Sequence, residues 1–216
     1  MSVLLRVITL FALWSSAGGA LRWMAHADEP LPPLSVPLKS FARLASVGYE
    51  NVFADALFLQ FIQHFGGSMR ERRQVQQAAP ALELLTDLDP KFFGAYVLGT
   101  MALGDAKELD AADRLWQKAW LWSPADWRVP YQAGMTMFLF GREAAHALKA
   151  AEWFNRAARL PGSPEEARYM EARMYQEGDR KKLAVAAWLN IYRYDPRPTA
   201  RAVARKTLIE WGVSLP

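Results

Sequence analysis

Ala112-Asp-Arg-Leu-Trp116-Gln-Lys-Ala119-Trp-Leu-Trp-Ser-Pro124 carries a pattern that the chain repeats. A small residue is followed by a large apolar one four later, a small or apolar one three after that, and a stop five further on. The same frame is met in Ala78-x3-Leu82-x2-Leu85-x4-Pro90 and in Ala150-x3-Phe154-x2-Ala157-x4-Gly162. A looser copy is Ala184-x3-Trp188-x2-Ile191-x4-Pro196. The leading alanines are 34, 38 and 34 residues apart, a period that belongs to stacked supersecondary units. On a helix, residues four apart share one face, so the small residue admits a neighbouring helix and the large one fills the space beside it. Proline cannot continue the ladder and marks the helix end. The aspartates and the serine of Asp89-Pro90, Ser123-Pro124 and Asp195-Pro196 are placed to cap the next helix.

Each of the later three helices is preceded by a partner. Ala95-Tyr-Val-Leu98-Gly99-x2-Ala102 precedes the second, Tyr131-Gln-Ala-Gly134-x2-Met137 the third, and Ala167-Arg-Tyr-Met170-x3-Met174-Tyr175-x2-Gly178-Asp179 the fourth. No strand alternation occurs after Leu38; helical periodicity broken by short Gly, Pro and Asp punctuation fills the chain. Helices are expected near 39–47, 50–65, 71–88, 92–104, 107–121, 127–140, 143–159, 164–177, 180–194 and 198–211. Inserts fall at Gly66–Arg73 and Gly141–Leu148. Over roughly 120–140 of the 216 residues, the small–large–small–Pro frame with its Leu-Gly and Gly-Asp pieces resembles the tetratricopeptide repeat family. That resemblance implies an all-α solenoid of about four helical hairpins, wound as a right-handed superhelix. The helix over Thr199–Trp211 then reads as a C-terminal cap, with Ala202, Leu208, Ile209 and Trp211 available for docking.

Composition agrees with one good core: 52% of the residues are apolar and 22% charged, and the chain holds 9 Trp, 7 Tyr and 11 Phe. The absence of Cys excludes disulfides, thiolate metal sites, a Cys nucleophile and a lipidated Cys. A net charge of +4 is too mild to point to nucleic acid. The chain divides into residues 1–27, 28–38 and 39–216. Residues 1–27 open with a one-charge stretch, then an apolar run Val7–Trp14, small residues, and a small-x-small pattern at Ala25 and Ala27. They read as a cleaved signal peptide or as an N-terminal membrane anchor, although Val7–Leu21 falls short of the roughly 20 residues a span needs. Both readings place residues 28–216 outside a bacterial cytoplasm, either periplasmic or held on the inner membrane facing the periplasm. The four prolines between positions 30 and 37 make residues 28–38 a stiff linker.

Chemistry is sparse. His26, His64 and His146 stand apart, with no His-Glu-x2-His, and neither phosphate-cradling glycine motif nor a Gly-x-Ser-x-Gly elbow occurs. Asp87, Asp89, Glu108, Asp110 and Asp113 suit helix ends, where acids cap and meet the dipole. The expectation is a protein without catalysis, cofactor or metal. In the family resembled, the first helix of each pair lines the concave groove. Carried over, this gives Tyr96, Thr100, Arg128, Tyr131, Gln132, Met135, Phe138, Arg168, Tyr169, Ala172, Tyr175 and Gln176, a wall suited to an extended peptide or a helix of a protein partner. A second candidate surface is the aromatic segment 44–66, with Phe53, Phe58, Phe61, His64 and Phe65. It is apolar almost all round, and reads either as an N-terminal hydrophobic cap or as a docking face for a partner or a membrane. The third is a basic stripe, Arg197, Arg201, Arg205 and Lys206. Trp116, Trp120, Trp122 and Trp127 are expected to plug the joint between repeats. The functional expectation is a scaffold or accessory subunit of an envelope-associated complex; the alternative is a membrane-anchored structural subunit, and an enzyme or small-molecule carrier stands third.

Overall fold

The computed structural model describes residue 42, residues 46–68 and residues 72–215, apart from the side chains of 64–68 and 72–78. Among the described residues there are nine α-helices and no strand: α1 Glu50–Ser68, α2 Arg72–Leu88, α3 Phe93–Asp105, α4 Leu109–Trp122, α5 Arg128–Phe140, α6 Ala144–Ala158, α7 Glu166–Glu177, α8 Lys181–Tyr194 and α9 Pro198–Glu210. The expected boundaries agree within a few residues. The helix expected at 39–47 lies outside the described residues except for a helical Ala42 and a turn at 46–48. The expected inserts largely dissolve. Helix α1 runs on to Ser68, and only residues 141–143 separate α5 from α6. His146 therefore sits on α6, half-buried, and not in a surface loop.

Each helix packs on the next, and α3 also meets α5, so the first helix of one pair touches the first of the following pair. The repeat frame lies in the contacts. Leu82, Leu85, Ala112, Trp116, Ala119, Ala150, Phe154, Ala157, Ala184, Trp188 and Ile191 are all buried. Close approach explains the glycines of the partner helices. A Cβ on Gly99 would lie 2.5 Å from Leu82, and one on Gly134 2.9 Å from the Phe154 ring. Trp116 forms the centre, stacked at 6.2 Å on Tyr96 and near Phe93 at 6.3 Å. Its indole N–H donates to Thr136 Oγ1 at 3.0 Å, and that hydroxyl donates onward to the Gln132 carbonyl. Such a partner offsets the desolvation of a buried indole N–H.

Two turn devices recur. Between the first and second helix of a pair, Lys107 and Asp179 adopt left-handed φ of 69° and 56°. The next amide along reaches back five residues, Glu108 to Leu103 and Arg180 to Tyr175, which closes the helix end in a Schellman motif. Between one pair and the next, an aspartate accepts the backbone N–H two residues on: Asp89 from Lys91, Asp126 from Arg128 and Asp195 from Arg197. These are Asx turns, in place of the N-caps expected from Asp89 and Asp195, and α3, α5 and α9 carry no side-chain cap. The acids of α4 and the end of α2 do more than cap. Asp87 pairs with Lys118, while Asp113, buried, accepts the Trp153 indole N–H at 2.9 Å and faces Lys149 at 3.4 Å.

Helix α9 closes the stack through Ala200, Ala204 and Leu208. Of the residues expected to dock it, Leu208 does so and Trp211 is half-buried, whereas Ala202 and Ile209 face solvent. The four-tryptophan cluster likewise splits. Trp116 is buried, Trp120 and Trp127 are half-buried, and Trp122 is 54% exposed beside Leu121 at 78%.

Candidate binding surfaces

Helices α3, α5 and α7 supply the residues assigned to a groove. The two from α3 do not reach it. Tyr96 and Thr100 are buried, at 1% and 0% exposure. The Tyr96 hydroxyl donates to the Pro90 carbonyl, and burial pushes its pKa up to about 12. Thr100 donates to the Tyr96 carbonyl at 2.7 Å. They turn inward because Trp116 needs a flat partner and because a threonine inside a helix satisfies its hydroxyl on the preceding turn. Ala172 is also buried, and Tyr169 lies edge-on to Trp188 at 5.4 Å, which commits it to the α7–α8 hairpin.

The others form a row along α5 and α7. Arg128 is exposed; its guanidinium grips both oxygens of Asp126 and lies 5.0 Å over the Phe93 ring of α3. Hydrogen bonds from Arg128 hold the Asp126 carboxyl below the usual carboxylate range. Tyr131 is half-buried between Trp127 and Phe154, with centroids at 5.9 and 5.7 Å. Gln132, Met135 and Phe138 come next, all half-buried. Across from them on α7, Arg173 lies 5.5 Å over the Phe138 ring and pairs with Glu177 at 2.9 Å. Tyr175 is half-buried and Gln176 exposed. Arg168, half-buried, pairs with Glu165 at 3.0 Å. An arginine plane over an aromatic face therefore joins α5 to α3 and α7 to α5 in turn. Sequence reasoning misses Phe93 and Arg173; the Arg173–Glu177 spacing of four is the one signal that marks a helix surface there.

On α1, Phe61 is buried, and Phe53 and Phe58 are half-buried, Phe58 edge-on to Phe92 at 4.7 Å. The side chains of His64 and Phe65 lie outside the described residues. Phe61 is therefore core and not a docking residue. The solvent side of this helix mixes Asp55, Gln60 and Gln63 with the apolar Val52, Ala56, Leu59 and Ile62, so it is less uniformly apolar than expected. The basic stripe divides in the same way. Arg197 is structural, bonded to Asp195, to Glu166 and to the Glu165 carbonyl, while Arg201, Arg205 and Lys206 are exposed.

Among the described residues, no group of His, Cys, Asp and Glu is placed to hold a metal ion, and no helix is long and apolar enough to cross a membrane. Residues 1–27, where a signal or anchor is expected, lie outside them. Compared with known proteins, the chain matches no family model and no curated relative.

Proposed function

We propose that the protein is a tetratricopeptide-like interaction scaffold, whose row along α5 and α7 receives a peptide or helix of a protein partner. The observation that carries this reading is the alternation of half-exposed rings and arginine planes: Phe93 under Arg128, then Tyr131, Met135, Phe138 under Arg173, and Gln176. Aromatic and arginine side chains are enriched where partners bind, since rings bury much area at small entropic cost. A set of hairpins in contact only with near neighbours suits such a surface. A non-catalytic accessory or assembly role in an envelope complex follows if residues 1–27 direct export.

Pull-down with the full chain tests it. Gln132→Ala with Gln176→Ala changes the row at polar side chains that are not part of the core around Trp116. A specific partner recovered by the wild type and lost by this variant supports the reading, and equal recovery overturns it.

A membrane-anchored structural subunit is the second reading. It is favoured by the exposed apolar stripe Val52, Ala56, Leu59 and Ile62 of α1. The mass of the mature N-terminus separates the two: an intact Met1 or Ser2 supports an anchor, and a start near Asp28 removes it.

A further inference from the structure

Charge is spread unevenly along the chain. Residues 180–210 hold eight Lys and Arg against two acids, whereas residues 1–179 hold 18 against 20. The last hairpin therefore carries the whole positive excess. On α5 and α7 each arginine has its own acid: Arg128 has Asp126, Arg168 has Glu165 and Arg173 has Glu177. On α9 only Lys206 has one, Glu210, at 3.9 Å. Arg201 and Arg205, one turn apart on α9, and Lys182 of α8 have no acid within ion-pair distance among the described residues. Lys181 Nζ lies 5.9 Å over the Trp211 ring, which sets the basic start of α8 beside the end of α9. Helix α9 turns Ala200, Ala204 and Leu208 into the stack, so Arg205, Lys206, Ala202 and Ile209 face outward at its free end. A terminal helix of a solenoid needs a polar outer face. This one also leaves Val203 41% and Ile209 54% exposed among the cations. One sign of charge set among bare aliphatic side chains exceeds what solubility requires.

We propose that the outer face of α9, together with the start of α8, docks on an anionic lipid surface. Headgroup phosphates answer Lys182, Arg201, Arg205 and Lys206, and the side chains of Val203 and Ile209 meet the boundary beneath the headgroups. Cations dispersed over two helices need no fixed register on such a surface, whereas an acidic protein must match them one by one. Nucleic acid offers the phosphates but leaves Val203 and Ile209 in water. The contact depends neither on the row along α5 and α7 receiving a partner nor on an anchor in residues 1–27.

The chain has no Cys, so an environment-sensitive dye can be attached to one introduced thiol, Ala202→Cys on α9 or, for comparison, Ala125→Cys; both positions are exposed. The full chains are titrated with vesicles of phosphatidylcholine and with vesicles of equimolar phosphatidylcholine and phosphatidylglycerol. The expected result is a blue shift at position 202 and none at 125, with the anionic vesicles only, reversed by high salt as screening shortens the reach of the charges. A cation close to an anionic surface is worth about fivefold in partitioning. Arg201→Gln, Arg205→Gln and Lys206→Gln together are therefore expected to weaken binding about a hundredfold, while the exposed cations Lys91, Arg114 and Arg142, changed to Gln together, alter it little. A chain held by residues 1–27 alone sediments with both kinds of vesicle and leaves the dye at 202 unshifted, so an anchor and the α9 contact are read separately. No shift at 202, an equal shift with neutral vesicles, or undiminished binding by the α9 triple variant overturns the proposal.

Discussion

At the scale of single residues, identical side chains do different work according to what faces them. Trp116 and Trp188 occupy equivalent places in their repeats, yet Trp116 donates to Thr136, whereas the buried Trp188 Nε1 has no hydrogen-bond partner among the described residues. Trp188→Phe is therefore expected to cost less stability than Trp116→Phe, by about 1 kcal/mol, the net worth of one hydrogen bond; urea unfolding of the two variants measures this. Lys107 bears a strained left-handed φ of 69°, so Lys107→Gly is expected to stabilise by about 0.5–1 kcal/mol, read from the same unfolding curves. Asp195, with a fully buried side chain, is held below the usual carboxylate range by Arg197. A depressed acid contributes stability that is present above its unfolded pKa of about 3.9 and is lost as pH falls through the lower native value. Asp195→Asn is expected to flatten the acid limb of a stability–pH curve and to cost about 2 kcal/mol at neutral pH. Glu171 has the opposite sign. Its raised pKa gives stability at low pH that fades as pH rises, so Glu171→Gln should raise Tm at neutral pH relative to acid.

At the scale of elements, the helices can be read from the sequence because the frame Ala-x3-large-x2-small combines a period with a stop, two signals that agree. Orientation within a pair is harder to read. Tyr96 and Tyr131 look alike as Tyr on a first helix, but Trp116 draws one fully inside while Trp127 and Phe154 leave the other half-exposed. That choice depends on a partner helix, and periodicity along one helix does not contain it. The same holds for Asp113, which resembles a cap in its own helix and bridges to α6 in the fold. Helix α2 carries Pro80 in its interior, exposed. Proline removes the amide that the Gln76 carbonyl would accept and crowds the preceding turn. Pro80→Ala is expected to stabilise by about 1–3 kcal/mol, less what the freer unfolded chain takes back, and to slow hydrogen exchange in α2. If exchange in α2 is unaltered, the helix has already adapted to the proline.

For the whole molecule, contacts that run from each helix to its neighbours make stability a chain of joints. The helical repetition lies open in the sequence, since it rests on a recurring local frame. The inward turn of Tyr96 does not, because it emerges only when α4 sets Trp116 beside it in space. The excess of aromatics in the composition has an address: Trp116 between α4 and α5, Trp153 between α6 and α4, Trp188 between α7 and α8, and Trp122 in solvent. Three of the joints thus carry their own fluorophore. Phenylalanine replacement of all but one tryptophan would turn emission wavelength and quenching by iodide into a local gauge, blue and shielded at Trp116, red and quenchable at Trp122. Unfolding followed through the separate reporters would show whether the joints open together or peel from one end, and a partner seated on α5 would be seen through its nearest indole without any added label.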